Sequence, residues 1–264
     1  MTQEERLDWL LNALLEEKAE YGDIVVPTGT EAKQRLLRSL MNVRPPVSAS
    51  REFLKVQDEY LQERLAERGI TRLEDLSPVE SGICLRRGDI TTLAVDAIVN
   101  AANSQMLGCF VPCHGCIDNA IHTSAGVQLR LACAEIMVRQ GAAEKTGSAK
   151  ITKGFNLPCR YVLHTVGPIV DGELTVKEER LLASCYRSCL ELAEQNGVRS
   201  LAFCCISTGE FRFSNRRAAE IAVDTVRCDR SVAAGKIKVI FNVFKEMDYN
   251  IYRGLLGGNR QTAM

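Results

Sequence analysis

A loop in the middle of the chain carries four side chains that bind soft metal ions. Three thiols and one imidazole fall within eight positions, at Cys109, Cys113, His114 and Cys116. Thiolate and imidazole ligands select zinc over magnesium or calcium, which prefer oxygen ligands. Three protein ligands leave a tetrahedral zinc one open position, as in catalytic sites, whereas four ligands close a structural site. The loop therefore predicts a zinc site.

Two alternatives remain open at this point. Cys113 could supply a fourth ligand and make the site purely structural, or the cluster could hold no metal. Because Cys113 and His114 are adjacent, they are difficult to place on one tetrahedron together with Cys116. This constraint favours Cys109 as the remaining ligand. His122 and His164 are expected to be core or loop histidines that bond to backbone carbonyls, and not ligands.

The elements on either side of this loop must position it. The apolar run from Val95 to Val99 predicts a buried strand, which ends in small residues and asparagines at 100–103. A helix is predicted to start near Asp118, whose carboxylate could simply cap it. Open α/β sheets bind ligands at the carboxyl ends of their strands. We therefore expect a binding site where this strand ends.

Strands and helices alternate from Gly82 onward, which predicts an α/β fold with a largely parallel sheet between helices. Strands are predicted at 83–86, 95–99, 149–152, 161–166, 201–206 and 239–243. Helices are predicted at 117–139, 176–195, 215–227 and 246–256. Residues 257–262 are expected to form a loose tail.

The first 76 residues have helical periodicity. Helices are predicted at about 4–20 and 30–41, with a third from Ser48 or Ser50 to Gly69. We expect this layer to dock on the rest of the chain, because its apolar stripes are expected to have no core of their own. The predicted domains are a helical N-terminal extension, 1–76, and a main domain, 77–264.

Composition excludes several classes of protein. The 264 residues include 33 Lys or Arg and 33 Asp or Glu, and the resulting zero net charge argues against a nucleic-acid partner. The sequence has no apolar run near the ~20 residues that cross a bilayer, and its acidic start is not a signal peptide. Eleven scattered cysteines predict free thiols in a reducing compartment. We expect a cytoplasmic protein without a membrane partner.

Three further loops follow predicted strands. Asp89 could accept a hydrogen bond from an exocyclic amine such as adenine N6, or form a plain Asx turn. The small and hydroxyl residues at 205–211 could present backbone N–H groups to an anion, although they also suit an ordinary strand-to-helix connection. Phe244, nearer the strand end than Phe241, could stack on a base or lie in the core. Together these loops predict one crevice with an acid, an anion site and an aromatic platform.

Four motifs in this order resemble those of macrodomains, which bind ADP-ribose. They are Gly88-Asp89-Ile90-Thr91, Val99-Asn100-Ala101-Ala102-Asn103-Ser104, His164-Thr165-Val166-Gly167-Pro168 and Ile206-Ser207-Thr208-Gly209. The resemblance covers about residues 82–256 and implies a three-layer fold with a mixed, largely parallel sheet. Residues 108–116 replace the usual glycine run. This replacement resembles the zinc-containing, MacroD-like protein-ADP-ribose hydrolases of microbes, whose metal motif falls on Cys109, His114 and Cys116.

The resemblance also implies roles for individual residues. The adenine contacts fall on Asp89, Ile90 and Phe244. The phosphate contacts fall on Ser207, Thr208, Gly209, Glu210 and Phe211, where the acidic Glu210 departs from the family pattern and is expected to face solvent. Asn100 to Ser104 form the ribose-binding turn, and the catalytic residues by the distal ribose are Asn103 and Asp118. Asp118 acts as a general base or orients a water or metal ligand.

The implied activity is zinc-dependent hydrolysis of mono-ADP-ribose from modified Asp or Glu residues, with one Zn²⁺ per chain. The alternatives are a non-catalytic ADP-ribose reader with a structural zinc and an O-acetyl-ADP-ribose deacetylase. By analogy alone, the partner is a lipoyl-carrier protein (GcvH-like) that a sirtuin-like transferase modifies.

Overall fold

A computed structural model describes residues 1–257 of the chain. The tail expected after Gly257 lies outside the described residues. Within residues 1–257, every helix is too short or too polar to traverse a lipid bilayer.

The N-terminal extension is a bundle of three helices, α1 (Gln3–Glu16), α2 (Thr30–Val43) and α3 (Arg51–Arg68). Thr2 caps α1 in a capping box with Glu5, and Ser50 caps α3. The bundle has its own core, so the expectation that its apolar stripes lack one is wrong. The stripes face one another, and their buried side chains include Leu7, Leu10, Leu11, Leu14, Leu37, Leu40, Phe53, Val56 and Tyr60.

A seven-stranded sheet forms the centre of the main domain. Its strands are β2 (Pro78–Glu80), β3 (Ile83–Arg87), β5 (Ala97–Ala102), β6 (Ala149–Lys153), β7 (Tyr161–Val166), β8 (Ser200–Phe203) and β9 (Lys238–Val243). The order is β2-β3-β9-β8-β5-β7-β6. Only β2 and β6, at the two edges, run antiparallel to their neighbours among the described strands. A separate pair joins β1 (Thr71–Arg72) to β4 (Leu93–Ala94).

Helices cover the sheet, which confirms the predicted α/β architecture with its helical extension. They are α4 (Ile117–Ala125), α5 (Val127–Gln140), α6 (Val176–Gln195), α7 (Asn215–Arg227), α8 (Arg230–Ala233) and α9 (Glu246–Gly257). The single helix predicted at 117–139 is two, because Gly126 interrupts it with φ of +92°. A Cβ there would lie 2.6 Å from an atom of Gln57 of the extension.

The centre of the sheet positions the site. β5 lies between β8 and β7, and runs parallel to both. It continues through Asn100 to Ala102, three residues beyond the predicted strand end at Val99, whereas β8 ends at Phe203, before the predicted end at Ile206. The carboxyl ends of β3, β9, β8 and β5 therefore lie along one edge, and the loops predicted to bind a ligand follow them.

Candidate functional site

The loop after β5 is folded by Asn103. Its Oδ1 accepts hydrogen bonds from the backbone N–H of Gln105 at 3.0 Å and of Met106 at 3.2 Å. Its Nδ2 donates to the carbonyl of Gly108 at 3.1 Å. Most of the hydrogen-bonding capacity of this amide is thus used within the loop, so Asn103 shapes the site as well as lining it.

Cys109, His114 and Cys116 come together at the end of this loop. One ligand atom from each lies within 4.8 Å of the others, and all three residues are half-buried. His114 Nδ1 is buried and has no hydrogen-bond partner among the described residues. Two thiols and a free imidazole nitrogen at this separation fit a zinc ion.

The environment of Cys116 also fits a cation. Burial, together with the nearby Cys109 and Asp118, raises the pKa of its thiol to about 12 against the lowering effect of the Asn119 backbone N–H. Zinc binds the thiolate, so a bound cation would offset this penalty. Cys116 is also the N-cap of α4, where its Sγ accepts from Asn119 N–H at 3.4 Å. Asp118 is therefore not the cap, and the alternative that it only caps the helix is wrong.

Cys113 points away from this trio. Its Sγ lies 3.2 Å from Ser39 Oγ and donates to the carbonyl of Arg35 at 3.4 Å, both on helix α2. Its backbone is left-handed, with φ of 53°. The adjacent residues Cys113 and His114 thus face in different directions, and the geometry gives no support to a fourth cysteine ligand.

Glu210 approaches the trio from the loop after β8. Its Oε1 lies 3.6 Å from Nε2 of His114, and its side chain is 73% exposed, in agreement with the expectation that it faces solvent. Carboxylates commonly orient the second nitrogen of a metal-bound histidine. The contact joins the loop at 205–211 to the loop that carries Cys109, His114 and Cys116.

Asp118 is a buried carboxylate beside the trio. Asn100 Nδ2 donates to its Oδ1 at 2.7 Å, and Asn103 Nδ2 lies 3.5 Å from its Oδ2. Burial raises the pKa of Asp118 to about 6, although the Asn100 hydrogen bond and the charge of Arg130 act to lower it. The two amides fix the direction of the carboxylate, so a reacting group can meet it in a defined geometry.

Asn100 was expected in the ribose-binding turn, and the structure corrects this. It lies within β5 and is fully buried. Its Nδ2 bonds to Asp118 and also lies 3.1 Å from His164 Nδ1. Strand alternation after Val99 was the signal that could have placed this side chain on the face of the sheet that α4 covers.

His122 and His164 are buried as expected, but backbone carbonyls do not bind them. His164 contacts Asn100 and the hydroxyl of Thr152, at 2.9 Å from its Nε2. Burial lowers its pKa to about 3, so it is neutral. Neither ring nitrogen of His122 has a hydrogen-bond partner in the described part of the chain, although Nε2 is 3.4 Å from Asp118 Oδ1.

These two histidines and Cys133 form a second set of potential ligands, within 4.8 Å of one another. Both ring nitrogens of His164 already contact polar side chains, so a metal would have to displace one of them. Burial holds the pKa of His122 well below its ordinary value, and the nearby His164 and the positive charge of Arg130 lower it further. A cation is therefore disfavoured at this buried set, in contrast to the half-buried set of Cys109, His114 and Cys116.

The predicted adenine contacts lie where β3 and β9 end. Asp89 Oδ1 accepts from the Thr91 backbone N–H and hydroxyl, as in an Asx turn, while Oδ2 pairs with Arg68 of α3 at 3.1 Å. Ile90 is buried in the main core. Phe244 is 78% exposed and free to stack, whereas Phe241 is a core residue. Adenine binding by these residues remains a prediction.

The loop at 205–211 contains a left-handed residue with an unpartnered hydroxyl. Ser207 has φ of 65°, and its buried Oγ has no hydrogen-bond partner among residues 1–257. The loop packs on 167–170, where Phe211 accepts from the Val170 N–H at 2.9 Å. A Cβ on Gly167 would lie 2.1 Å from Ser207 Oγ. Thr208, Gly209 and Glu210 follow at the surface, and their phosphate contacts stay a prediction.

Gly167→Ala is therefore expected to weaken ADP-ribose binding by at least about tenfold, or ~1.4 kcal/mol. The added methyl group would overlap Ser207 Oγ and lie 2.8 Å from Ile206 Cγ2, so the loop must move. Isothermal titration calorimetry measures the affinity. Gly29→Ala is the control, because no atom lies within 4 Å of its added Cβ. Equal affinities of the two variants for ADP-ribose would contradict a role of the loop at 205–211 in binding it.

The extension forms one wall of a groove of about 500 Å³ beside the site. The groove reaches from Asp89 and Thr91 to Cys113. Its extension wall includes Arg35, Arg38, Arg64 and Arg68. The N-terminal helices are thus neighbours of the predicted nucleotide crevice.

Comparisons with known proteins point to one family. A family model described as "Macro domain" matches residues 99–222. A Treponema medium protein named "Protein-ADP-ribose hydrolase" is 56% identical over 97% of this chain and 100% of its own length. A protein of the same name from Staphylococcus aureus (strain MRSA252) is 49% identical over 94% of both chains. A Trypanosoma brucei macrodomain crystallised with ADP-ribose has a TM-score of 0.65 and 33% identity, covering 83% of this chain and 95% of that one.

Proposed function

The chain belongs to the macrodomain family, and from this premise we propose that it is a zinc-dependent hydrolase that releases mono-ADP-ribose from modified Asp and Glu side chains of proteins. Its near full-length relatives named as protein-ADP-ribose hydrolases support the general activity, hydrolysis of protein-linked ADP-ribose. The observation that carries the finer proposal is the trio of Cys109, His114 and Cys116 beside the buried carboxylate of Asp118.

The donor set supports zinc as the cofactor. Cys109, His114 and Cys116 would hold one ion per chain, with Glu210 near the outer nitrogen of His114. A zinc ion held by these three residues would supply Lewis-acid chemistry at the site.

The bond to be broken joins the anomeric carbon of the distal ribose to an acyl oxygen of the modified residue. Addition of water gives free ADP-ribose and the carboxyl group of the protein. Asp118 accepts the proton of the attacking water, since its carboxylate lies beside the trio and is fixed by Asn100. Asn103 holds the loop and the second oxygen of Asp118, and its amide cannot itself act as a base.

The proposed substrate is a mono-ADP-ribosylated protein. The family resemblance extends this to a lipoyl-carrier protein (GcvH-like), modified by a sirtuin-like transferase, and a cytoplasmic setting remains a prediction of the sequence. A reader with a structural zinc would need binding without turnover, and a deacetylase would act on O-acetyl-ADP-ribose. Three ligands and an adjacent carboxylate favour the hydrolase.

The test is a release assay on proteins that carry ADP-ribose on Asp or Glu, on Ser, or on Arg. We expect release from the Asp- or Glu-linked substrate alone, loss of release after treatment with 1,10-phenanthroline, and recovery with added zinc. Release that survives complete metal removal would contradict zinc dependence. ADP-ribose binding without release indicates a reader, and turnover of O-acetyl-ADP-ribose alone indicates a deacetylase.

A further inference from the structure

Helix α2 of the extension contacts the backbone of the loop at 109–116 through Arg38. The Arg38 Nη2 donates to the carbonyl of His114 at 2.9 Å and to Oδ1 of Asn119 at 2.7 Å. Its Nε donates to the same oxygen of Asn119 at 3.2 Å. Asn119 in turn donates from Nδ2 to the carbonyl of Val111 at 3.0 Å. One guanidinium thus connects the loop at two points to the first turn of α4.

Asn42, one helical turn after Arg38, makes a second set of contacts. This side chain is 1% exposed. Its Oδ1 accepts from the backbone N–H of Cys113 at 2.9 Å, and its Nδ2 donates to Thr123 Oγ1 at 3.0 Å. Asn42 therefore holds the residue directly before His114 against the middle of α4.

The loop needs such external support because it contains no helix or strand between Cys109 and Cys116. Cys113 has φ of 53°, a left-handed conformation that is unfavourable for a residue with a side chain. Ordering each loop residue also costs conformational entropy. Without contacts from outside the loop, metal binding would have to offset these costs.

We infer that Arg38 and Asn42 are positioning residues that pre-order the zinc ligands, and that holding this loop is a function of the N-terminal extension. The inference rests on the proposed zinc site. Neither residue is a ligand. Each holds the backbone on one side of the Cys113–His114 bond and ties it to α4, whose N-cap is the ligand Cys116.

Docking of the extension depends on other contacts as well, so the two roles can be separated. Gln57 of α3 accepts from the Val127 N–H at 2.9 Å and donates to Gln128 at 2.7 Å. Asp58 accepts from Asn156, and Arg130 donates to the carbonyls of Met41 and Arg44. These contacts remain when Arg38 or Asn42 is truncated, so the extension is expected to stay in place.

The experiment measures zinc affinity of the full chain by competition with a chromogenic chelator. Arg38→Ala and Asn42→Ala are each expected to weaken zinc binding by about 10–100-fold, the usual effect of removing residues that hold metal ligands. The matched control is Arg35→Ala on the same helix. It removes the same charge from an exposed side chain and keeps the Arg35 carbonyl that contacts Cys113.

A loss of affinity equal in Arg38→Ala and Arg35→Ala would reveal a charge effect and overturn the inference, as would wild-type affinity in Arg38→Ala and Asn42→Ala. Arg38→Lys keeps the charge but lacks the planar fork, and it is expected to bind zinc as weakly as Arg38→Ala. Circular dichroism of the metal-free variants checks folding. Arg38→Lys guards against an unfolded alanine variant. If the wild-type chain takes up no zinc, the proposed cofactor fails, and this inference fails with it.

Discussion

Asp118→Asn is expected to reduce the rate of ADP-ribose release by about 10²–10⁴-fold, the contribution usual for a general base. The substitution preserves the shape of the side chain, and its Oδ1 can still accept from Asn100 Nδ2. The amide has no site that takes up a proton at neutral pH. The loss should therefore appear in the chemical step, while ADP-ribose binds with an affinity near that of the wild type.

Single-turnover release from a mono-ADP-ribosylated protein measures the chemical step, and calorimetry with ADP-ribose measures binding. Asp171→Asn serves as the control, because it makes the same chemical change at an exposed aspartate. A wild-type rate in Asp118→Asn would show that another group accepts the proton. A parallel loss of rate and affinity in a folded, zinc-loaded variant would instead assign Asp118 to substrate binding.

The sequence predicted the fold well because the main domain alternates short apolar runs with amphipathic segments. The strand at 161–166 and the helices at 176–195 and 215–227 were predicted with the bounds that the structure has. The predicted boundaries of helices and strands were wrong where the local sequence pattern did not determine them. Gly126 interrupts a continuous helical pattern with φ of +92°, and a Cβ there would also meet Gln57, a residue far away in sequence.

The trio of Cys109, His114 and Cys116 was predictable because its members are close in sequence and chemically distinctive. The residues that hold the site in place could not be predicted in this way. Arg38 and Asn42 bond to residues 71 to 81 positions away. From the sequence alone, a solvated helix face explains a polar residue such as Arg38 at least as well as a contact in the site. Asn100 was placed in a ligand-binding turn by the resemblance, and the predicted strand end at Val99 agreed with that placement, whereas β5 continues to Ala102.

The extension shows the same limit at the level of packing. Three amphipathic helices can bury their stripes against another domain or against each other, and periodicity does not distinguish these outcomes. Here Leu11, fully buried, lies in a core shared by all three helices. The face of α2 that carries Arg38 and Asn42 therefore remains available to contact the loop at 109–116. The polar side chains on that face, and not the apolar stripe, connect the extension to the site.

The variants Cys116→Ser and Cys113→Ser are expected to distinguish the zinc ligand from the nearby cysteine that does not bind zinc. Cys116→Ser should weaken zinc binding by more than ~100-fold, since one of three protein ligands is lost from a total of ~10–16 kcal/mol, and release should fall with it. Cys113→Ser should keep one zinc per chain, because its side chain faces Ser39 and Arg35 and a hydroxyl can make the same contacts. Elemental analysis of the purified variants gives the stoichiometry.

The choice of serine makes this comparison specific to the metal. Cys116 is the N-cap of α4, and serine is among the preferred N-cap residues, so the helix start and Asp118 behind it should persist in Cys116→Ser. A loss of zinc with an unchanged circular dichroism spectrum therefore reports the missing thiolate and not a disordered helix. Equal zinc contents in the two variants would contradict the ligand set. Zinc lost from Cys113→Ser alone would return Cys113 to the site in place of Cys116.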